Sequence, residues 1–186
     1  MPVRVGVPRE TAPQERRVAI VPEVAGRLVQ AGIDVVVEAG AGAGAYASDD
    51  AYVHAGARVG TRAEAHDADV VARVQTPEAA DLPLLGPGRT LVGFLRPLDD
   101  PHGVARLAAT GATALAMELV PRTTRAQKMD ALSAMGTVAG YRAVVLAAEA
   151  LPKLFPLLTT AAGTLRPAQV LVLGAGVAGL QAIATA

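Results

Sequence analysis

Short apolar runs alternate with helix-period segments along the first part of the chain, and no other feature limits its fold so tightly. VRVGVP is followed by PEVAGRLVQAG, DVVVEAG by SDDAYVHAG, DVVARVQ by a proline-rich stretch, TLVGFLRP by HGVARLAATG, and the series closes on TALAMELVP. Runs this short, apolar on both faces, suit strands covered by helices on each side of a parallel sheet, and their alternation with helices is the rhythm of βαβ units. The reading is an α/β fold whose N-terminal domain, residues 1–127, is a doubly wound parallel sheet.

The pattern then changes. MDALSAMGTVAGYRAVVLAAEAL reads as one continuous helix over residues 128–151, stopped by Pro152 and long enough to link two domains. Gly136 and Gly140 each cost about 1 kcal/mol relative to alanine inside a helix, so a close-packing contact or a kink is expected there. After a linker with Pro156, Gly163 and Pro167, a new strand is expected at Gln169. Residues 152–186 then read as the start of a Rossmann dinucleotide-binding domain.

That segment carries VLVLGAGVAGL, which places Gly174, Gly176 and Gly179 after an apolar run and before an apolar helix. In G-x-G-x-x-G the first glycine permits the tight turn, the second lets a pyrophosphate approach the backbone, and the third allows close helix-to-strand packing. The helix N-terminus supplies unpaired N–H donors to the phosphates. Upstream, EAGAGAGAYASDD satisfies the looser G-x-G-x-x-A form through Gly40, Gly42 and Ala45. Ser48 reads there as a helix cap, and Asp49 and Asp50 would repel a phosphate from the first turn. That loop is read as a structural turn. The acidic residue that should hold the adenosine ribose lies about 20 residues past the credible motif, and the sequence stops at Ala186. The expectation is a fragment of a longer protein, or a sheet completed by a separate chain, and no activity from the isolated 186 residues.

PRTTRAQKMDALS, residues 121–133, gathers polar groups ahead of the long helix. Gln127, Asp130 and Ser133 recur every third residue, so on a helix they fall within an arc of roughly 120°. Such a stripe is either ligand-facing or the wet side of an ordinary helix.

Composition excludes several classes. The formal charge is zero and the basic residues are scattered, which leaves no footprint for nucleic acid. There is no cysteine, and His54, His66 and His102 are isolated, so no metal site is expected. The N-terminus carries charges where an export signal needs an apolar run. Residues 170–186 are uncharged but fall short of the ~20 residues a bilayer demands, so no transmembrane segment is read.

GVPRE, ERRVAIVPE, VEAGAGAGAYASDDAY, VPRTTRAQKMDALSAMGTVAGYRAV and VLGAGVAGL together resemble the NAD(H)-binding component of proton-translocating nicotinamide nucleotide transhydrogenases, and more loosely alanine dehydrogenases. The resemblance runs from Val3 to Ala186. It implies direct hydride transfer between NAD(H), held here, and NADP(H), held by a partner subunit. It also implies membrane-embedded transhydrogenase subunits as partners, a homodimer, and a cytoplasmic location peripheral to the inner or plasma membrane through those subunits.

By position, the resemblance assigns Arg122 and Gln127 to the nicotinamide nucleotide or the opposing dinucleotide, and Asp130 and Ser133 to the carboxamide and to each other. These four are the expected catalytic set. Thr123, Thr124 and Arg125 would lie along the cofactor with Arg122, and Val177 would follow the pyrophosphate turn formed by Gly174, Gly176 and Gly179. Tyr141 is a weaker candidate. Direct hydride transfer needs two rings held face to face with water excluded, and no side-chain nucleophile or general acid, so polar, amide-binding groups suit the task.

Alanine dehydrogenase chemistry requires proton transfers. The resemblance places Gln75 and Arg96 where that relative has a lysine and a histidine. Glutamine has no titratable proton and arginine stays charged, so this chemistry is disarmed. Arg17 fits both relatives, or serves as an ion-pair partner of Glu15 or Glu10. The alternatives are an alanine dehydrogenase-like oxidoreductase, a docking subunit without catalysis, and an NAD sensor without turnover.

Overall fold

Strands β1 (Arg4–Val7), β2 (Asp34–Glu38), β3 (Arg58–Gly60), β4 (Val70–Ala72), β5 (Thr90–Gly93) and β6 (Thr113–Ala116) pair in a six-stranded sheet of order β3-β2-β1-β4-β5-β6. The computed structural model describes residues 2–186 and divides the chain into one unit up to Val120 and a second from Pro121. Every pairing in the sheet is parallel, with Val5 opposite both Val35 and Val70. Helices α1 (Pro22–Gln30), α2 (Asp49–His54), α3 (Arg62–His66) and α4 (Pro101–Ala108) connect the strands. This is the doubly wound α/β fold read from the alternation.

Local chemistry fixes the helix starts. Pro22 and Pro101 open α1 and α4, where a missing N–H costs nothing. The Ser48 hydroxyl accepts from the Ala51 amide and the Asp100 carboxylate from the Gly103 amide. The sheet is buried on both faces: Val7, Val36, Val37, Val71 and Leu91 have no exposure. Tyr52 of α2 is equally covered, and its hydroxyl donates to the Ile20 carbonyl at 2.8 Å.

β3 and α3 escape the alternation pattern. The strand is three residues long and half-open at the sheet edge, too short for a period to register. A signal was present in Thr61-x-x-Glu64: the Thr61 hydroxyl accepts from the Glu64 amide while the Glu64 carboxylate accepts from the Thr61 amide, a capping box.

The second unit holds a 3-10 segment (Thr124–Met129), α5 (Ala131–Ala150), the hairpin strands β7 (Leu158–Thr160) and β8 (Gly163–Leu165), and α6 (Val177–Thr185). The strand expected from Gln169 does not form. A parallel strand exists only within a ladder, and among the described residues none lies beside this run, so Leu171 and Leu173 stand 83% and 88% exposed. The hairpin sits in the stretch read as a plain linker.

α5 begins three residues later than the pattern suggested, because Asp130 caps it. By length and composition it is apolar enough to cross a membrane, a property that the uncharged run at residues 170–186 lacks. Arg142 and Glu149 interrupt it, and its buried positions, Gly140 and Val144, lie on the stripe that meets α6. Those two are the only buried positions among its twenty residues.

Candidate functional site

Gln127, Asp130 and Ser133 do not share one helix face. Gln127 lies in the 3-10 segment, and Asp130 stands between the two helices with φ −78° and ψ 81°. A cap, not a stripe, joins the last two: the Ser133 amide donates to Asp130 Oδ1 at 2.9 Å, and the Ser133 hydroxyl donates to Oδ2 at 2.6 Å. Those two bonds, with the positive charge of Arg122 adding a smaller pull, hold the Asp130 carboxyl below its ordinary range. At neutral pH it is therefore an acceptor-only group with lone pairs to spare.

Arg122, Thr123, Thr124, Arg125 and Gln127 are exposed, while Ala126 is buried and anchors the segment that carries them. Tyr141 is 54% exposed on α5.

The glycine motif forms a tight turn. Gly174 has φ +106°, a conformation that L side chains rarely adopt. A Cβ on Gly179 would overlap the Gly174 carbonyl oxygen, which is why the third glycine is needed. Gly176 caps α6 and Val177 is its first residue, so the first-turn N–H groups open toward the turn. The first turn of α6 rests on α5: an added Cβ on Gly140 would stand 2.9 Å from the Ala178 carbonyl carbon, and one on Gly136 would be 4.0 Å from the Ala178 amide. Of the two glycines that looked costly in a helix, Gly140 thus marks a close-packing contact and Gly136 does not. Ser133 continues the same α5 stripe one turn toward its N-terminus, since residues three, four and seven apart share a face.

The upstream glycine loop is structural. Asp49 accepts from the Gly40 amide through both carboxylate oxygens, at 2.9 and 3.2 Å, filling the place an anion would need.

In the first unit the strand order turns outward from β1 and β4, which makes their carboxyl ends the switch point where doubly wound sheets bind ligands. Here that crevice is filled by the chain's own charges. Buried Arg73 pairs with Asp81 and, at 3.4 Å, with Glu10, whose carboxylate also accepts from the Val74 and Gln75 amides. Arg62 pairs with Asp81 at 2.6 Å and Glu38 at 3.2 Å. Burial alone would raise Asp81, but the two guanidinium groups outweigh it and hold the carboxyl below its usual value. Sequence reasoning missed this network, because its members are far apart in sequence and only the sheet brings them together.

Arg17 pairs with Glu15 at 2.6 Å, and the Gln75 amide donates to the same carboxylate at 2.6 Å. Hydrogen bonding from Arg17, opposed by burial and reinforced by Gln75, lowers Glu15 to about 2. Arg96 adopts φ +51°, its backbone amide and that of Leu95 both donating to Glu118, and its side chain faces Asp99 at 3.5 Å. The Gln75 side chain is thus engaged, whereas Arg96 is held through its backbone and its guanidinium is largely exposed. Among the described residues no cluster of metal-ligating side chains occurs.

Residues 6–139 match the alanine dehydrogenase/PNT N-terminal domain, and residues 143–186 match the C-terminal domain of the same family. The chain is 46% identical to NAD(P) transhydrogenase subunit alpha of Cereibacter sphaeroides, over 99% of this chain and 36% of that protein. An alanine dehydrogenase of Halomonas elongata is 35% identical, over 95% of this chain and 48% of its own length. The crystal structure of transhydrogenase from Sinorhizobium meliloti superposes with a TM-score of 0.94 at 46% identity, covering 98% of this chain and 53% of that one. The chain therefore spans between about a third and about half the length of these relatives. With both halves of the domain pair matched in order, the chain belongs to the alanine dehydrogenase/PNT family.

Proposed function

We propose that this chain is the NAD(H)-holding part of a proton-translocating transhydrogenase, passing hydride directly between NAD(H) and NADP(H) bound by a partner subunit. The reading rests on one observation above the others: the α5 stripe that receives the first turn of α6 at Gly140 also carries Ser133, bonded to Asp130, about two turns away. The groups assigned here to phosphate and to carboxamide belong to one unit, which supports the reading.

In this proposal the turn Gly174, Gly176, Val177 and Gly179 holds the pyrophosphate. Asp130 accepts from the carboxamide N–H₂, and the Ser133 hydroxyl, fixed by Asp130, completes that contact. Gln127 has both a donor and an acceptor for the same amide or the opposing ring, and Arg122 and Arg125, with Thr123 and Thr124, close over the phosphates and ribose. The cofactor, when bound, supplies the hydride chemistry. The chain's own residues orient one face of the ring and exclude water, and none of them moves a proton.

The domain assignment belongs to the same proposal: a frame over residues 1–127, a linking helix at 128–151, and a dinucleotide domain that residues 152–186 begin. Assembly as a homodimer, with membrane-embedded subunits carrying the proton path and this part at the cytoplasmic surface, completes it. The side-chain chemistry of Gln75 and Arg96, one without a titratable proton and the other always charged, weighs against alanine dehydrogenase chemistry, which needs a group able to give and take a proton.

Isotope transfer tests the reading. The complete product of the gene, mixed with an NADP(H)-binding partner, should carry deuterium from C4 of NADH to NADP without loss to water. Washout of the label, or reduction of pyruvate with ammonia at an enzymatic rate, would overturn it.

A further inference from the structure

We propose that Gly140 is a positioning residue of the dinucleotide site, setting the separation between the glycine turn and the Asp130–Ser133 pair. The inference rests on the proposed function and adds a residue that touches neither cofactor nor reacting atoms.

The first turn of α6 meets α5 backbone to backbone. A Cβ on Gly140 would overlap the Ala178 carbonyl oxygen and lie 2.9 Å from its carbon and 3.1 Å from the Ala178 Cα. None of these atoms belongs to a flexible side chain, so α6 would have to move. Gly136, one turn nearer Ser133 on the same stripe, has its nearest neighbours at 4.0 Å, an ordinary contact that already has room for a methyl group. The two glycines look alike in sequence and differ in function: one is required by the approach of a backbone, the other is not.

Displacement of α6 carries the turn with it. Gly174 is fixed at φ +106° and Gly179 sits against the Gly174 carbonyl, so the loop and the first helical turn form one tight unit. Ser133 belongs to α5 and Asp130 caps it, so both stay behind, held by their two mutual hydrogen bonds. A methyl group at residue 140 therefore lengthens the gap between the two ends of the site by about 1 Å, an error on the scale that costs bound geometry roughly a hundredfold in rate.

A ligand that spans both ends senses the change, and one that uses only the turn does not. The test compares Kd for NADH and for ADP-ribose, which lacks the carboxamide ring, in the complete gene product and its G140A and G136A variants. G140A should bind NADH at least tenfold more weakly and ADP-ribose within about threefold of the parent, with G136A near the parent for both. Equal losses for both ligands, or no loss for NADH, would reduce Gly140 to a packing residue.

If G140A does not fold, G136V supplies a smaller push on Val177 and Ala178 and should repeat the selective loss in milder form. An equal loss for both ligands, or none, again overturns the inference. A parent protein that binds NADH no better than ADP-ribose, with D130A changing neither, sinks the proposed function and this inference together. A parent that discriminates while G140A leaves discrimination intact sinks the inference alone.

Discussion

The region up to Val120 and the region from Pro121 both contain short apolar runs flanked by helices, yet they reach opposite states. In the first, Val7, Val36, Val37, Val71 and Leu91 are fully covered; in the second, Leu171 and Leu173 stand 83% and 88% exposed. The difference lies in the neighbours, since each strand of the first region has a parallel partner and the run at 169–173 has none among the described residues. The polar groups divide the same way. Arg73, Asp81, Glu10, Glu15 and Gln75 are bonded inside the first region, to one another or to Arg62 and Arg17, whereas Arg122, Arg125 and Gln127 are displayed. The first region is a finished frame, and the second presents its polar groups outward.

The sharpest way to break this contrast is to attack the buried charges. In the 186-residue chain, Asp81→Ala should destabilise the first region by about 3–5 kcal/mol, because Arg62 and Arg73 are left without their shared carboxylate. Urea unfolding followed at Tyr52, with α5 helicity monitored separately, checks it; equal losses in both regions would contradict the division. Next in size, Leu91→Ala should cost about 2–5 kcal/mol by opening a cavity in its cluster with Val71, Leu85, Leu95 and Leu107, against under about 0.5 kcal/mol for Leu171→Ala.

Acid separates the two regions by a different route. Glu15 titrates at about 2 in the fold against an ordinary 4.5, so its stabilisation is complete above pH 4.5 and is lost as pH falls toward 2. Asp81 acts in the same sense, below its ordinary 3.8. In the second region Asp130 is likewise depressed, but its carboxylate serves a single helix cap. NMR signals of Tyr52 and Tyr141 should show the first region losing urea resistance the more steeply over this window. A smaller loss than either first-region change above is expected of Thr61→Ala, which removes one cap from α3 and should cost about 1 kcal/mol, confined to the first region.

How much of this was legible depends on whether the responsible contacts are local. The sheet could be read because β1, β2, β4, β5 and β6 each announce themselves as an apolar run, and Ser48 because a cap is a local device. β3 was missed for its length, and the Glu10–Arg73–Asp81 network for its span in sequence. Asp130 shows a subtler failure: regular spacing to Ser133 suggested a helix face, while an aspartate ahead of a helix competes as its cap. Gly140 was suspected as a packing contact from its cost alone, but its difference from Gly136 depends on where Ala178 lies and is invisible in the sequence.

The central claim is that the second region works by holding the amide end of a nicotinamide carrier in place. Its most direct test is the hydride-exchange rate between NADH on the complete gene product and NADP on its partner, compared between the parent and Asp130→Ala. The account predicts a fall of at least about tenfold with the fold intact, since the carboxamide loses an ionised acceptor and Ser133 loses its anchor. An unchanged rate would contradict it.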